Sequence, residues 1–291
     1  MERSLYTDLA VEWGGEAYEK NVERSEQGEG ITVERFEVKG EKMRQALGRA
    51  CGQYVTLHCP RPWLIDDDTL LRCERVLGDE LGRMLRGVLR EHWHTDTCVL
   101  VCGLGNREMT ADAIGPLTVE SLTATRHLRE HAPQVFRSLG QRPLAAFAPG
   151  VLGQTGMETV ELIGGCVDRI RPDVIVAVDA LAAQSVRRLG CTVQLSDSGL
   201  SPGSGIGNHR KSVCRDSLGV PVLALGVPTV VDSDTLIRDA MAQMGIQEPP
   251  SAGREESAAR SFFVAPKEID VLVKSFAKLL AAGLERALLL I

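Results

Sequence analysis

From Cys98 onward, short uninterrupted apolar runs alternate with stretches whose apolar residues recur at helical spacing. No other feature limits the fold of this chain so strongly. The runs at 98–103, 143–148, 174–178, 192–195 and 220–225 are too short for ordinary helices. They are also apolar on both faces, as strands covered on both sides must be. Between them, residues 111–130, 157–169 and 233–244 read as amphipathic helices, and residues 267–290 as a long closing helix. That order predicts an α/β fold, a largely parallel sheet with helices on both faces.

Upstream the pattern is looser. Residues 31–38 alternate apolar with polar side chains and read as a strand, residues 53–58 as a second, and residues 69–90 as a helix. Together they predict a small N-terminal extension that contains β-structure. Residues 16–30 and 247–260 are rich in polar, Gly and Pro residues and read as exposed loops. The second interrupts a domain rather than bounding it, so residues 9–291 are expected to form a single α/β domain.

Bulk properties exclude several classes. A net charge of −6 offers no basic footprint for nucleic acid. No stretch reaches the roughly 20 apolar residues of a membrane helix, and the polar N-terminus lacks a signal-peptide core. A cytoplasmic location is the expectation. None of the eight cysteines forms a C-x-x-C pair, and reduced thiols are expected there. Cys98 and Cys102 read as small core residues. His127 and His131 are spaced i, i+4, but Glu130 stands one place too late for an H-E-x-x-H site. We therefore expect neither a metal nor a cofactor.

Two strand ends carry residues suited to chemistry. The run 98–102 leads into Gly103-Leu-Gly-Asn106, and Asp112 follows just ahead of a helical pattern. Asp112 reads either as a helix-starting carboxylate or as a functional group at the strand rim. Asp179 directly follows five apolar residues, where a carboxylate is costly unless it is paired or opens into a cleft. It could also cap a turn. On one rim, the two could divide general acid and base roles or hold a divalent ion, and spacing does not choose.

The glycine-rich stretch 196–211 breaks the spacing of a phosphate-binding loop, because Asn208 separates Gly207 from the basic residues. A flexible active-site loop carrying His209, Arg210 and Lys211 fits better, and an exposed basic turn is the alternative.

Several segments, in order, resemble the germination proteases of spore-forming bacteria. They include Thr7-Asp-Leu-Ala-Val-Glu12, Gly103-Leu-Gly-Asn106, Ala111-Asp-Ala-Ile-Gly-Pro-Leu117 and Thr125-Arg-His-Leu128. Ala148-Pro-Gly-Val151, Gln154-Thr-Gly-Met-Glu-Thr159, Val178-Asp-Ala-Leu-Ala182, Ser201-Pro-Gly-Ser-Gly-Ile-Gly-Asn208 and Gly226-Val-Pro-Thr-Val-Val-Asp232 continue the match. The resemblance implies a fold similar to hydrogenase maturation proteases. It also implies an endopeptidase that degrades small acid-soluble spore proteins in the spore core, cutting after an acidic residue and before an apolar one. By the same resemblance it is a homotetramer made as a zymogen, with Asp112 and Asp179 as the catalytic aspartates. Arg210 and Lys211, with His209, would bind the acidic side chain. Asp8 and Leu9 offer the same acid–apolar step for self-cleavage, which would make residues 1–8 a propeptide in a mobile terminus. Two alternatives stand beside this reading: a metal-contacting maturation peptidase of the hydrogenase type, and a phosphate-binding regulatory module built on Gly203–Gly207.

Overall fold

The computed structural model describes residues 7–13, 18–202, 211–246 and 262–289. Nine strands form one sheet: β1 Glu23–Glu26, β2 Thr32–Val38, β3 Gly52–His58, β4 Val99–Gly103, β5 Leu144–Phe147, β6 Val174–Ala183, β7 Thr192–Ser196, β8 Val222–Asp232 and β9 Phe263–Val264. Their order is β1-β2-β3-β7-β8-β6-β4-β5, with β9 on β8. The four strands β8, β6, β4 and β5 are parallel. The other half is antiparallel, and β7 joins it to β8 through Gln194↔Gly226 and Leu195↔Leu225. The N-terminal extension is thus a continuation of the same sheet, and Glu23–Glu26 within the polar stretch 16–30 is its edge strand rather than loop.

The principal helices are α1 Gly40–Leu47, α2 Asp67–Leu89, α3 Ile114–Ser121, α4 Arg126–His131, α5 Thr159–Ile170, α6 Ser233–Gln243 and α7 Ile269–Ala287. Strand alternation sends β4 and β6 side chains to two cores. Val99, Val101, Val174, Val176 and Val178 meet Leu77, Leu81 and Leu85 of α2 and Phe276, Leu280 and Leu284 of α7. Leu100, Cys102, Ile175 and Ala177 meet Ile163 of α5. Burial on both faces explains why these strands read as continuous apolar runs. Each fully buried Val or Leu side chain contributes about 1.5–3 kcal/mol. All eight cysteines are free thiols, and Cys98 and Cys102 are buried among these core residues.

Two departures from the sequence pattern shape the rim. The single helix expected over 111–130 is broken, because Leu122 turns extended and Thr125 bonds to β5, its N–H donating to the Leu144 carbonyl at 2.9 Å. The runs at 174–178 and 220–225 extend to Ala183 and Asp232, because β6 and β8 go on pairing past a bulge at Leu181/Ala182. The stretch 247–260 lies outside the described residues.

Candidate active site

The rim is built by close backbone approach. Gly103 of β4 pairs with Val178 of β6, and the Leu104 N–H then donates to the Val178 carbonyl at 2.7 Å. Gly115 of α3 packs so tightly here that a Cβ on it would lie 2.3 Å from the Leu104 carbonyl oxygen and 2.5 Å from that of Val178. Only glycine lets the helix start this close to the strand ends. The turn before it is a 3-10 segment, Thr110–Asp112.

Asp112 is half-buried in that turn. Its Oδ2 accepts from the Asn106 N–H at 2.7 Å, which turns the carboxylate toward the Gly103–Asn106 turn, and no side chain caps α3. Its side chain therefore does not cap α3. Gly105, at φ +108°, is required beneath it, since a Cβ would sit 2.0 Å from the Asp112 carbonyl oxygen. Asp179 is 7% exposed, and its Oδ1 accepts from the Ala180 N–H at 2.9 Å. It does not end its strand. It is the first β6 residue beyond the end of β4, with Gly226 of β8 beside it, so it faces a gap in the sheet rather than a strand terminus.

Asp112 and Asp179 line one cavity of about 780 Å³. The antiparallel half supplies much of its other wall, including Arg49, Gln194 and Asp197. Asp197 accepts from the Gln53 N–H at 2.7 Å, and burial raises its carboxyl above the ordinary aspartate range. Among the described residues, no group of three or more His, Cys, Asp or Glu side chains is placed to hold a metal ion. No helix among them is long and apolar enough to cross a membrane.

Asp8 also lines this cavity, and here the structure corrects the expected mobility. The Asp8 N–H donates to the Ala182 carbonyl at 3.1 Å, and Asp8 Oδ2 accepts from the Ala182 N–H at 2.9 Å. Leu9 is fully buried against Ala183, Leu189 and Val231. The Ala10 N–H donates to Gln194 Oε1 at 3.0 Å. Glu12 accepts from the Gln184 and Ser185 N–H groups at 2.6 and 2.9 Å. Burial raises its carboxyl, although the Thr7 hydroxyl and those two amides pull the other way. A segment with the Asp8 and Ala10 amides bonded to the body and Leu9 buried in it is an ordered part of it.

The basic loop is a different case. His209, Arg210 and the Gly203–Gly207 run lie outside the described residues. Lys211 is exposed, its Nζ 3.5 Å from Glu161 Oε1 of α5, and it is not among the cavity's lining residues. Among the described cations that do line the cavity, Arg44, Arg49 and Arg215, the half-buried one is Arg49. Sequence reasoning passes over it, because it stands in a loosely patterned loop after Gly48 with no motif around it.

The germination protease family model matches residues 11–246. A germination protease of Caldanaerobacter subterraneus subsp. tengcongensis is 38% identical over 98% of this chain and 94% of its own length. One from Clostridium acetobutylicum is 36% identical over 98% and 95%. A third, from Priestia megaterium, is 40% identical over 82% of this chain and 66% of its own. Among solved structures, a [NiFe] hydrogenase maturation protease, HycI from Thermococcus kodakarensis KOD1, is similar at a TM-score of 0.34 and 20% identity, over 69% of this chain and 98% of its own. The fold assignment rests on the sheet itself. Matches that run the length of the chain, through both strand-end aspartates and the turn that seats Asp112, make it a member of the germination protease family and so a peptidase of spore germination.

Proposed function

We propose that the chain is an endopeptidase that begins the degradation of small acid-soluble spore proteins in the spore core, with Asp112 and Asp179 sharing the acid–base work. One carboxylate activates a water against the scissile carbonyl. The other, protonated, polarises that carbonyl and then protonates the leaving amine. The observation that carries this reading is that both carboxylates, one in the turn after β4 and one on β6 beyond the end of β4, line one cavity that also receives an aspartate of the chain's own Asp8–Leu9 step. Family membership supports the finer properties: cleavage after an acidic and before an apolar residue, zymogen synthesis, and assembly as a homotetramer.

Self-cleavage between Asp8 and Leu9 would release residues 1–8. Because Leu9 is buried and its neighbours are bonded, the step needs local opening of Thr7–Ala10 before attack. The test incubates wild type, Asp112→Asn and Asp179→Asn with a small acid-soluble spore protein and maps the fragments by mass spectrometry, with the enzymes' own N-termini sequenced alongside. Wild type is expected to cut at acid–apolar steps and to acquire Leu9 as its first residue. Both variants are expected to do neither while keeping the wild-type circular dichroism. Near-wild-type cutting by either folded variant would sink the pair.

A further inference from the structure

We infer that Arg49 is the specificity-determining residue that receives the acidic side chain before the scissile bond. The inference rests on the acid–apolar cleavage just proposed and deepens it. Arg49 Nη2 donates to the Thr7 carbonyl at 2.7 Å, so it holds the backbone immediately before the chain's own Asp8–Leu9 step. Its guanidinium lies over the Trp13 ring, 5.0 Å from the centroid, which fixes the fork from a second side. The Trp13 contact survives release of residues 1–8 and keeps the guanidinium placed, where its planar fork can bind a carboxylate through two parallel hydrogen bonds.

The other described cations at the cavity are differently engaged. Arg44 is exposed and forked onto Glu41, with Nε 2.6 Å from Oε2 and Nη2 2.5 Å from Oε1. Arg215 lines the cavity too but is exposed to water, where an ion pair gains little. Arg49 is half-buried; burial lowers its guanidinium from the ordinary value, while the charge of Asp8 works in the opposite direction. A desolvated cation next to an aspartate is where a carboxylate gains most.

The geometry also supplies the pose. Asp8 meets the end of β6 at Ala182 through one main-chain bond, its N–H to the Ala182 carbonyl, and one side-chain bond, its Oδ2 accepting from the Ala182 N–H. Once Thr7 and Asp8 leave, the Ala182 amide and Arg49 are both vacated, and a substrate acid can take the place of the Asp8 carboxylate, whose charge already acts on Arg49. The site for the residue before the cut is the site that Asp8 now occupies.

The test uses processed enzyme and two peptides that differ only in Glu or Gln before the apolar residue. Wild type should favour Glu in kcat/KM by roughly 10- to 100-fold, the range of a hydrogen bond to a charged group. In Arg49→Gln the Glu/Gln ratio should fall to near one, and in Arg49→Lys to an intermediate value. A wild type with no acid preference would refute the cleavage reading and this inference with it. A wild-type preference kept in full by folded Arg49→Gln would overturn Arg49 alone. Should Arg49→Gln not fold, phenylglyoxal modification of wild type decides instead. A product peptide ending in Glu should protect Arg49 where one ending in Gln does not, and equal modification under both would overturn the inference.

Discussion

The two halves of the sheet share one apolar core, but the antiparallel half adds ion pairs on its strands, and the two contribute different chemistry to the cavity. The parallel half, β8-β6-β4-β5, is covered on both faces by helices and is stabilised by apolar burial. It supplies the two carboxylates at gaps left where β4 ends. The antiparallel half carries ion pairs on its strands. Glu80 of α2 bonds Arg35 of β2 and Arg83, with Arg83 Nη2 2.9 Å from Oε2, and Glu34 of β2 lies 3.4 Å from His58. This half presents Arg49 and Gln194, which grip the N-terminal segment. On the proposed reading, the groups that act on the peptide come from the parallel half, while those that hold it come from both: Arg49 and Gln194 on one side and Ala182 of β6 on the other.

The sharpest way to break this division is to compare carboxylates across the seam. Asp179→Asn should lower turnover by about 10²–10⁴-fold, as loss of an acid–base group does. Asp197→Asn, on the antiparallel side of the same cavity, should cost less than about tenfold, since its carboxylate is spent on the Gln53 N–H. Equal losses would place the chemistry on both halves.

Gly105→Ala asks whether the Asp112 turn must be as tight as it is. At φ +108°, with a backbone oxygen 2.0 Å from the added Cβ, the turn has to shift. Backbone strain of about 1–3 kcal/mol is expected. Turnover should fall more than tenfold with KM little changed, because the displaced group is Asp112. An unaltered kcat would show that the seat of Asp112 tolerates movement.

Stability should respond to pH on one side only. Burial pushes the Glu80 carboxyl up, but the hydrogen bonds from Arg35 and Arg83 outweigh it and hold the pKa below the ordinary glutamate value. A depressed carboxyl stabilises the fold above its unfolded pKa of about 4.3 and loses that contribution as pH falls through the folded value. Glu80→Gln should therefore cost about 1–2 kcal/mol in urea at pH 7 and progressively less below about pH 4. Val176→Ala, in the parallel core, should cost about 2–3 kcal/mol at both pH values. Parallel pH dependence in the two variants would erase the contrast.

The smallest expected effect is none. Among the described residues no group of three His, Cys, Asp or Glu is placed for a metal ion, and two carboxylates alone make a weak transition-metal site, so dialysis against a strong chelator should leave turnover unchanged. Loss restored by one divalent ion would turn Asp112 and Asp179 from acid and base into ligands.

The same contrast explains what can be read without coordinates. The apolar runs of β4, β6 and β8 announce themselves because burial on both faces demands uninterrupted Val, Leu and Ile. A carboxylate such as Asp179, set directly after such a run, is conspicuous because desolvating it is costly. Strand lengths are less legible: Asp179-Ala-Leu-Ala-Ala183 has no β-branched residue, yet it pairs because β8 lies alongside. Glu23-Arg-Ser-Glu26 is entirely polar and becomes a strand only through its partner β2.

Sequence by itself determined the family, the parallel core and the two strand-end aspartates, since each is written in local pattern: periodicity, glycines at the turn, and an acid after an apolar run. Tertiary structure alone decided that the antiparallel strands join that sheet, that Asp8 and Leu9 are pinned rather than mobile, and that Arg49 faces them. Arg49 reaches Thr7 across 42 residues and Asp8 reaches Ala182 across 174. Contacts at that separation depend on which strands pair and in what register, and no local period encodes that choice.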